Sequence, residues 1–188
     1  MVRIVAGSHR GRVLATATAR DLRPTTERVR EALFAILGSG AADIAGARVL
    51  DGFAGTGALG LEALSRGAGH ATFFETDAGA RATLADNIAT LDEAARTTVH
   101  GADATRPPAA PDGGACTLIL LDPPWASDLA AHALPALAAA GWLAPGATIV
   151  IEARGDDAME LPAGFERHDL RRYGTAALHF FTLSRIST

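Results

Sequence analysis

The chain carries a single cysteine, Cys116, in 188 residues, which excludes a disulfide framework and any cysteine-cluster zinc site and suits a reducing compartment. It has no lysine: all 17 of its basic residues are arginine, a pattern that reads mainly as codon bias, although arginine suits bidentate phosphate contacts. Nowhere does it reach 18 consecutive uncharged apolar residues, and the start, Met1 to Gly7, lacks an apolar run of signal-peptide length. These absences predict a cytoplasmic protein with no membrane partner. The six histidines (9, 70, 100, 132, 168 and 179) show no ligand spacing, so no metal is expected. What remains is ordinary for a globular protein: 48% apolar, 20% charged and 5% aromatic residues. The length is little more than one domain's worth and buries enough surface to fold without a staple.

The net charge of −4 is unevenly spread. Residues 1 to 30 hold seven arginines against two acids, Asp21 and Glu27, while the remainder holds ten arginines against nineteen acids. An acidic body thus carries a basic arm. Val2 and Ile4, then Val13 and Leu14, flank a glycine-containing turn and predict a β-hairpin. Pro24 and the following threonines mark a helix start, and Val29, Leu33, Ile36 and Leu37 form its apolar stripe, which leaves its arginines outside. Residues 1–40 are expected to form a hairpin-helix extension in which Arg3, Arg10, Arg12, Arg23, Arg28 and Arg30 grip a polyanion, with an affinity that falls steeply with salt.

Residues 41–188 alternate short apolar runs with helical stretches, as a parallel α/β sheet requires. Strands are predicted over 47–51, 70–75, 96–100, 116–122 and 147–152, and helices over 58–66, 78–91 and 127–140. The run 117–121 does not alternate, as expected of a central strand covered on both faces. Two last strands, near 165–172 and 175–183, are joined too closely for a helical crossover and should pair antiparallel. The expected fold is a Rossmann-like sheet of about seven strands, mostly parallel, with an antiparallel hairpin at its end.

Asp51, Glu75, Asp122 and Glu152 each end a predicted parallel strand, and Asp103 follows another. Open α/β sheets bind ligands beyond the carboxyl ends of their strands, so most of these acids should ring one crevice. The spacing Gly55-x-Gly57-x-x-Gly60 matches a dinucleotide fingerprint, but a pyrophosphate among these acids would be repelled. S-adenosylmethionine, with a sulfonium and an ammonium against one carboxylate, fits far better. On this reading Asp51 takes its methionine end, Gly55 and Gly57 allow close backbone approach, Glu75 takes the ribose hydroxyls and Asp103 the adenine amino group. Their neighbours Phe53, Ala54 and Ala104 complete the expected donor site.

Asp122-Pro123-Pro124-Trp125 ends the fourth strand of the body. Two prolines stop the strand and fix the chain direction, so a carboxylate, a proline carbonyl and an aromatic ring can converge on one ligand. An exocyclic amino group on a nucleobase is a poor nucleophile, because its lone pair is delocalised into the ring. A carboxylate and a carbonyl that accept its two hydrogens would draw that lone pair back onto nitrogen. Trp125 would stack on the base, worth about 1–3 kcal/mol. Trp142 and Cys116 are expected to be packing residues instead.

The sequence resembles the RsmD family of 16S rRNA guanine-N2 methyltransferases, within the class I methyltransferases. The resemblance spans nearly the whole chain. It rests on Arg3-Ile4-Val5-Ala6-Gly7 with Arg10-Gly11-Arg12, on Leu22-Arg23-Pro24-Thr25-Thr26-Glu27-Arg28-Val29-Arg30-Glu31, on the stretch from Asp51 to Ala68, and on Asp122-Pro123-Pro124. Trp125 stands where phenylalanine or tyrosine is commoner, and Gly52 where a larger residue is usual. The resemblance implies transfer of one methyl from S-adenosylmethionine, leaving S-adenosylhomocysteine, to a guanine of 16S rRNA or of a small-subunit assembly particle; a monomer is expected. Other outcomes are a DNA methyltransferase, for which 188 residues leave little room for a target-recognition domain, or a protein-amide enzyme, which typically has asparagine at position 122. A noncatalytic RNA-binding assembly factor is a further alternative, and intact Asp51, Glu75 and Asp122 oppose it.

Overall fold

The computed structural model describes residues 2–16, 25–125, 127–155 and 162–183; of the residues named from the sequence, Met1, Asp21, Leu22, Arg23 and Pro24 lie outside them. The body is a seven-stranded sheet built from β3 (Arg48–Asp51), β4 (His70–Phe74), β5 (Thr97–His100), β6 (Cys116–Leu121), β7 (Leu143–Arg154), β8 (Phe165–Tyr173) and β9 (Ala176–Leu183). Their spatial order is β5-β4-β3-β6-β7-β9-β8. The first five strands in that order pair parallel, while β9 pairs antiparallel with both β7 and β8. From β3 the chain first builds outward through β4 to β5, then returns to lay β6 on the other side of β3. That reversal opens a crevice at the carboxyl ends of β3 and β6, where this class of sheet binds ligands.

Helices cover both faces: α1 (Thr25–Ile36), α2 (Ala58–Ser65), α3 (Ala78–Leu91) and α4 (Leu129–Ala139). In β6, Leu118 and Leu120 face one apolar cluster with residues of α1, α2 and α3, while Ile119 and Leu121 face the other with α4 and Trp142. Every residue from 118 to 121 is therefore buried, which is why the sequence shows no alternation there. Trp142 is 2% exposed, meets Phe74 edge to face at 5.0 Å and donates its indole N–H to the Pro108 carbonyl at 2.7 Å, so it is a packing residue. Cys116 is buried, and burial pushes its thiol up to about 12. β7 is longer than the predicted 147–152 because it also pairs Leu143 with Cys116. The ladder then skips to Thr148 opposite Leu118, and the irregularity accommodates Pro145, which has no N–H to donate.

The arm begins as a two-stranded hairpin of β1 (Val2–Arg3) and β2 (Val13–Leu14). Val2, Ile4 and Leu14 join Val29, Leu33, Phe34 and Leu37 of α1 and its following turn in the same apolar cluster as the body. A polar latch reinforces this. Glu62, fully buried in α2, accepts the amide N–H groups of Val5 and Ala6 at 2.7 and 3.1 Å and the Arg66 guanidinium at 2.7 Å. Ser65 donates its hydroxyl to the Ala6 carbonyl at 2.6 Å and accepts the His9 amide at 3.0 Å. Gly7 runs so close that a Cβ there would lie 1.8 Å from the Ser65 carbonyl oxygen. On α3, Asn87 accepts the Ala15 amide at 2.7 Å and donates to its carbonyl at 3.0 Å.

The arm departs from its expected exposure at one arginine. Arg3, Arg10, Arg12 and Arg28 are exposed, but Arg30 is only 3% exposed. Its guanidinium donates through Nη2 to the Arg3 carbonyl, and its Nε lies 3.7 Å from Glu62. The buried carboxylate of Glu62 draws this arginine inward, away from the solvent face of the helix.

Removal of Glu62 strands Arg30 and two backbone amides in the interior. Glu62→Ala is expected to destabilise the protein by about 3–5 kcal/mol in equilibrium urea unfolding; a loss below about 1 kcal/mol would show that the latch contributes little.

Candidate active site

The carboxyl edge of the sheet opens into a cavity of about 810 Å³, within the range of small-molecule sites. All five predicted strand-end acids, Asp51, Glu75, Asp103, Asp122 and Glu152, stand on its wall. Asp51 ends β3 and is 1% exposed; its Oδ2 accepts the Gly60 amide in the first turn of α2 at 3.0 Å. Its Oδ1 is buried and has no hydrogen-bond partner among the described residues. Burial, opposed by the Gly60 and Phe53 amides and reinforced by the charges of Asp122 and Glu75, raises its pKa to about 7.

Glu75 follows β4 and is fixed by both oxygens: Oε2 accepts the Gly55 amide and Oε1 the Asp77 amide, each at 2.8 Å. Asp103 accepts the amide and the hydroxyl of Thr105 on one oxygen, both at 2.8 Å, and these bonds hold its carboxyl below the usual range. Each acid is thus oriented by a local turn that leaves acceptor capacity toward the cavity.

The glycine loop divides its labour in a way the sequence pattern did not separate. Gly55 is on the wall, and a Cβ there would meet nothing within 4 Å, so its backbone is open to a ligand. Gly57, expected to give the same close approach, is not on the wall. It takes a left-handed conformation (φ 88°) at the start of α2, and a Cβ would lie 2.3 Å from Leu84 on α3. Its smallness serves helix packing. Phe53, Ala54 and Ala104 line the cavity as expected. Gly52 is small because Leu121 fills its side-chain space, with a Cβ position only 2.4 Å from Leu121 Cδ2.

Asp122, Pro124 and Trp125 stand on the wall after β6, while Pro123 is buried behind it and lines nothing. Trp125 is half-buried, its ring packed against the edge of the core with another part on the cavity. The Pro124 carbonyl accepts the Ser127 hydroxyl at 2.6 Å, a bond that pins the turn. The sequence reading missed Thr76, Asp77 and Ala80, which bring the N-terminus of α3 to the wall, and it missed Val2 and Arg30 of the arm. Asp77, directly after Glu75 and Thr76, carried a legible signal as a helix N-cap: it accepts the Ala80 amide at 2.7 Å. Arg3, Arg10, Arg12 and Arg28 are not on the wall. Among the described residues no group of three or more metal-ligating side chains occurs, and no helix is long and apolar enough to cross a membrane.

The residues present fit S-adenosylmethionine. The partnerless Oδ1 of Asp51 can accept from an ammonium, Glu75 from a diol, and Asp103 from an adenine amino group. The sheet, its switch point and this edge define a Rossmann-like class I methyltransferase fold. Comparison with known proteins narrows the class. A family profile described as Conserved hypothetical protein 95 matches residues 2–182, and the chain belongs to this family, the RsmD family. It is 38% identical over 181 residues to ribosomal RNA small subunit methyltransferase D of Escherichia coli K12, covering 96% of this chain and 89% of that one. The protein of the same name from Haemophilus influenzae is 38% identical over 165 residues, 86% of this chain and 83% of that one. The solved yhhF protein of Escherichia coli superposes with a TM-score of 0.81 at 33% identity over 97% of this chain and 98% of that chain.

A carboxyl whose pKa rises from 3.8 to about 7 on folding costs stability once it must ionise. The cost begins as pH rises past the unfolded value and is complete above the folded one. Between pH 5 and 8 the ligand-free wild type should lose about 3 kcal/mol relative to Asp51→Asn in urea unfolding. Parallel pH profiles for the two proteins would contradict the assigned protonation.

Proposed function

We propose that the protein transfers a methyl group from S-adenosylmethionine to the exocyclic N2 amino group of a guanine in 16S rRNA, acting as a monomer in the cytoplasm on RNA or on a small-subunit assembly particle. The observation that carries this reading is the convergence of five strand-end acids and Trp125 on one cavity. The bound donor supplies an electrophilic methyl on a sulfonium. Every other task falls to the protein. Asp51, Glu75 and Asp103 hold the donor by its ammonium, ribose and adenine, in the order of their strands across the sheet.

Asp122 accepts one hydrogen of the base amino group and a carbonyl of the proline turn accepts the other, which returns the nitrogen lone pair for attack; as the N–C bond forms the C–S bond breaks, S-adenosylhomocysteine leaves, and the surplus amino proton is released to solvent. Trp125 stacks on the base, which must be unpaired or flipped out of a helix to reach it. Positioning of nitrogen against methyl supplies much of the acceleration, up to roughly 7–11 kcal/mol. No covalent enzyme intermediate is needed.

The basic arm supplies the attraction to phosphate that an acidic cavity cannot. Arg3, Arg10, Arg12 and Arg28 are exposed on it, with Arg3 3.8 Å from Glu27 and Arg12 bonded to the Thr90 carbonyl at 2.7 Å. Val2 of the same arm reaches the cavity wall, so RNA held there lies beside the site. Arg30, now buried, is withdrawn from the proposed RNA contacts. The names of the relatives, ribosomal RNA small subunit methyltransferase D, support rRNA over DNA or a protein amide.

Asp122→Ala should lower methyl transfer by roughly a hundred- to a thousandfold while leaving donor affinity nearly unchanged. Mass spectrometry of rRNA fragments from cells with and without the protein should show the loss of one N2-methylguanine; an unchanged guanine profile would overturn the assignment. Changing Arg10, Arg12 and Arg28 together to alanine should weaken RNA binding and reduce the slope of log affinity against log salt by about 2–3. An unchanged slope would give the arm another task.

A further inference from the structure

The cavity wall is unbalanced in charge. Among its described residues it carries six carboxylates, Asp51, Glu75, Asp77, Asp103, Asp122 and Glu152, and one cation, Arg30. S-adenosylmethionine brings two positive groups and one negative group, its α-carboxylate. The acids suit the sulfonium and the ammonium. They oppose the carboxylate, and among the described residues of the wall only Arg30 offers it a full positive charge.

The position of Arg30 agrees with the direction of the donor. Asp103, Glu75 and Asp51, proposed for adenine, ribose and ammonium, follow β5, β4 and β3, which are consecutive across the sheet. The next strands along that edge are β6 and β7, and Arg30 lies within electrostatic reach of Glu152 near the end of β7. A ligand laid along the edge with its adenine over β5 has its amino-acid end on the Arg30 side.

The guanidinium is also built for an anion. It is 3% exposed, its Nη2 is anchored on the Arg3 carbonyl, and its Nε has no hydrogen bond among the described residues. Glu62, 3.7 Å from Nε, accepts bonds from Arg66, Val5 and Ala6 as well, so its charge is shared among several donors. Arginine cannot shed its proton in a protein, and its planar fork matches a carboxylate. We propose that Arg30 holds the α-carboxylate of the methyl donor, which makes helix α1 of the basic arm part of the donor site; the inference rests on the methyltransferase reading above.

The test is a calorimetric binding cycle, without turnover, with S-adenosylmethionine and its decarboxylated analogue on wild type and Arg30→Met. Wild type should prefer the intact donor. That preference should shrink by roughly 10- to 150-fold in the variant, which should bind the analogue about as wild type does. If Arg30→Met fails to fold because buried Glu62 keeps only Arg66 as a cationic partner, the double variant Arg30→Met with Glu62→Gln removes the uncompensated charge and replaces it in the cycle. Wild type that binds the analogue as tightly as the donor overturns the assignment with no variant needed. So does a variant that keeps the wild-type preference, as it would if Arg30 contacted the RNA base instead. Absence of any donor binding by wild type overturns the methyltransferase reading and this inference with it, whereas binding that ignores the carboxylate overturns this inference alone.

Discussion

The structure depends on a concentration of negative charge at the place where the sheet reverses its winding direction. β3 and β6 are neighbours in space although 64 residues separate the end of β3 at Asp51 from the start of β6 at Cys116; Asp51 and Asp122, which follows β6, bring two carboxylates to the same edge, and Glu75, Asp103 and Glu152 extend the row. The raised pKa of Asp51 records the cost, first of its burial and then of the like charges of Asp122 and Glu75 beside it. A fold keeps such an arrangement when a cationic ligand relieves it. A positively charged alkyl donor does so, and a pyrophosphate would aggravate it.

The second constraint is the attachment of the arm. The basic segment could be a separate appendage, yet its apolar residues share a cluster with α2, α3 and the sheet, and Glu62 and Ser65 hold its backbone. The element proposed to grip RNA is therefore fixed relative to the cavity. That rigidity suits a reaction in which positioning supplies much of the rate.

Most of the fold was legible because local patterns agreed with the tertiary structure. The apolar period over 78–91 returns as α3 with the same bounds, and the unbroken apolar run of β6 correctly marked a strand covered on both faces. The strand-end acids were legible because strand ends can be read from sequence and one topological rule then gathers them. What escaped depends on partners distant in sequence. Arg30 reads as a surface residue of an amphipathic helix until Glu62, buried in another helix, is seen to draw it in. Gly57 reads as a ligand-side glycine until Leu84 is found where its side chain would be. Pro123 reads with its motif, but the turn alternates its residues, so Asp122 and Pro124 reach the cavity while Pro123 faces away.

The selection of ligand by charge is tested most directly by titrating the purified protein with S-adenosylmethionine and, separately, with NAD at low ionic strength. The account predicts saturable binding of the sulfonium compound and no measurable binding of the dinucleotide up to millimolar concentration, on the order of −4 kcal/mol. Binding of NAD that competes with or exceeds that of S-adenosylmethionine would contradict it.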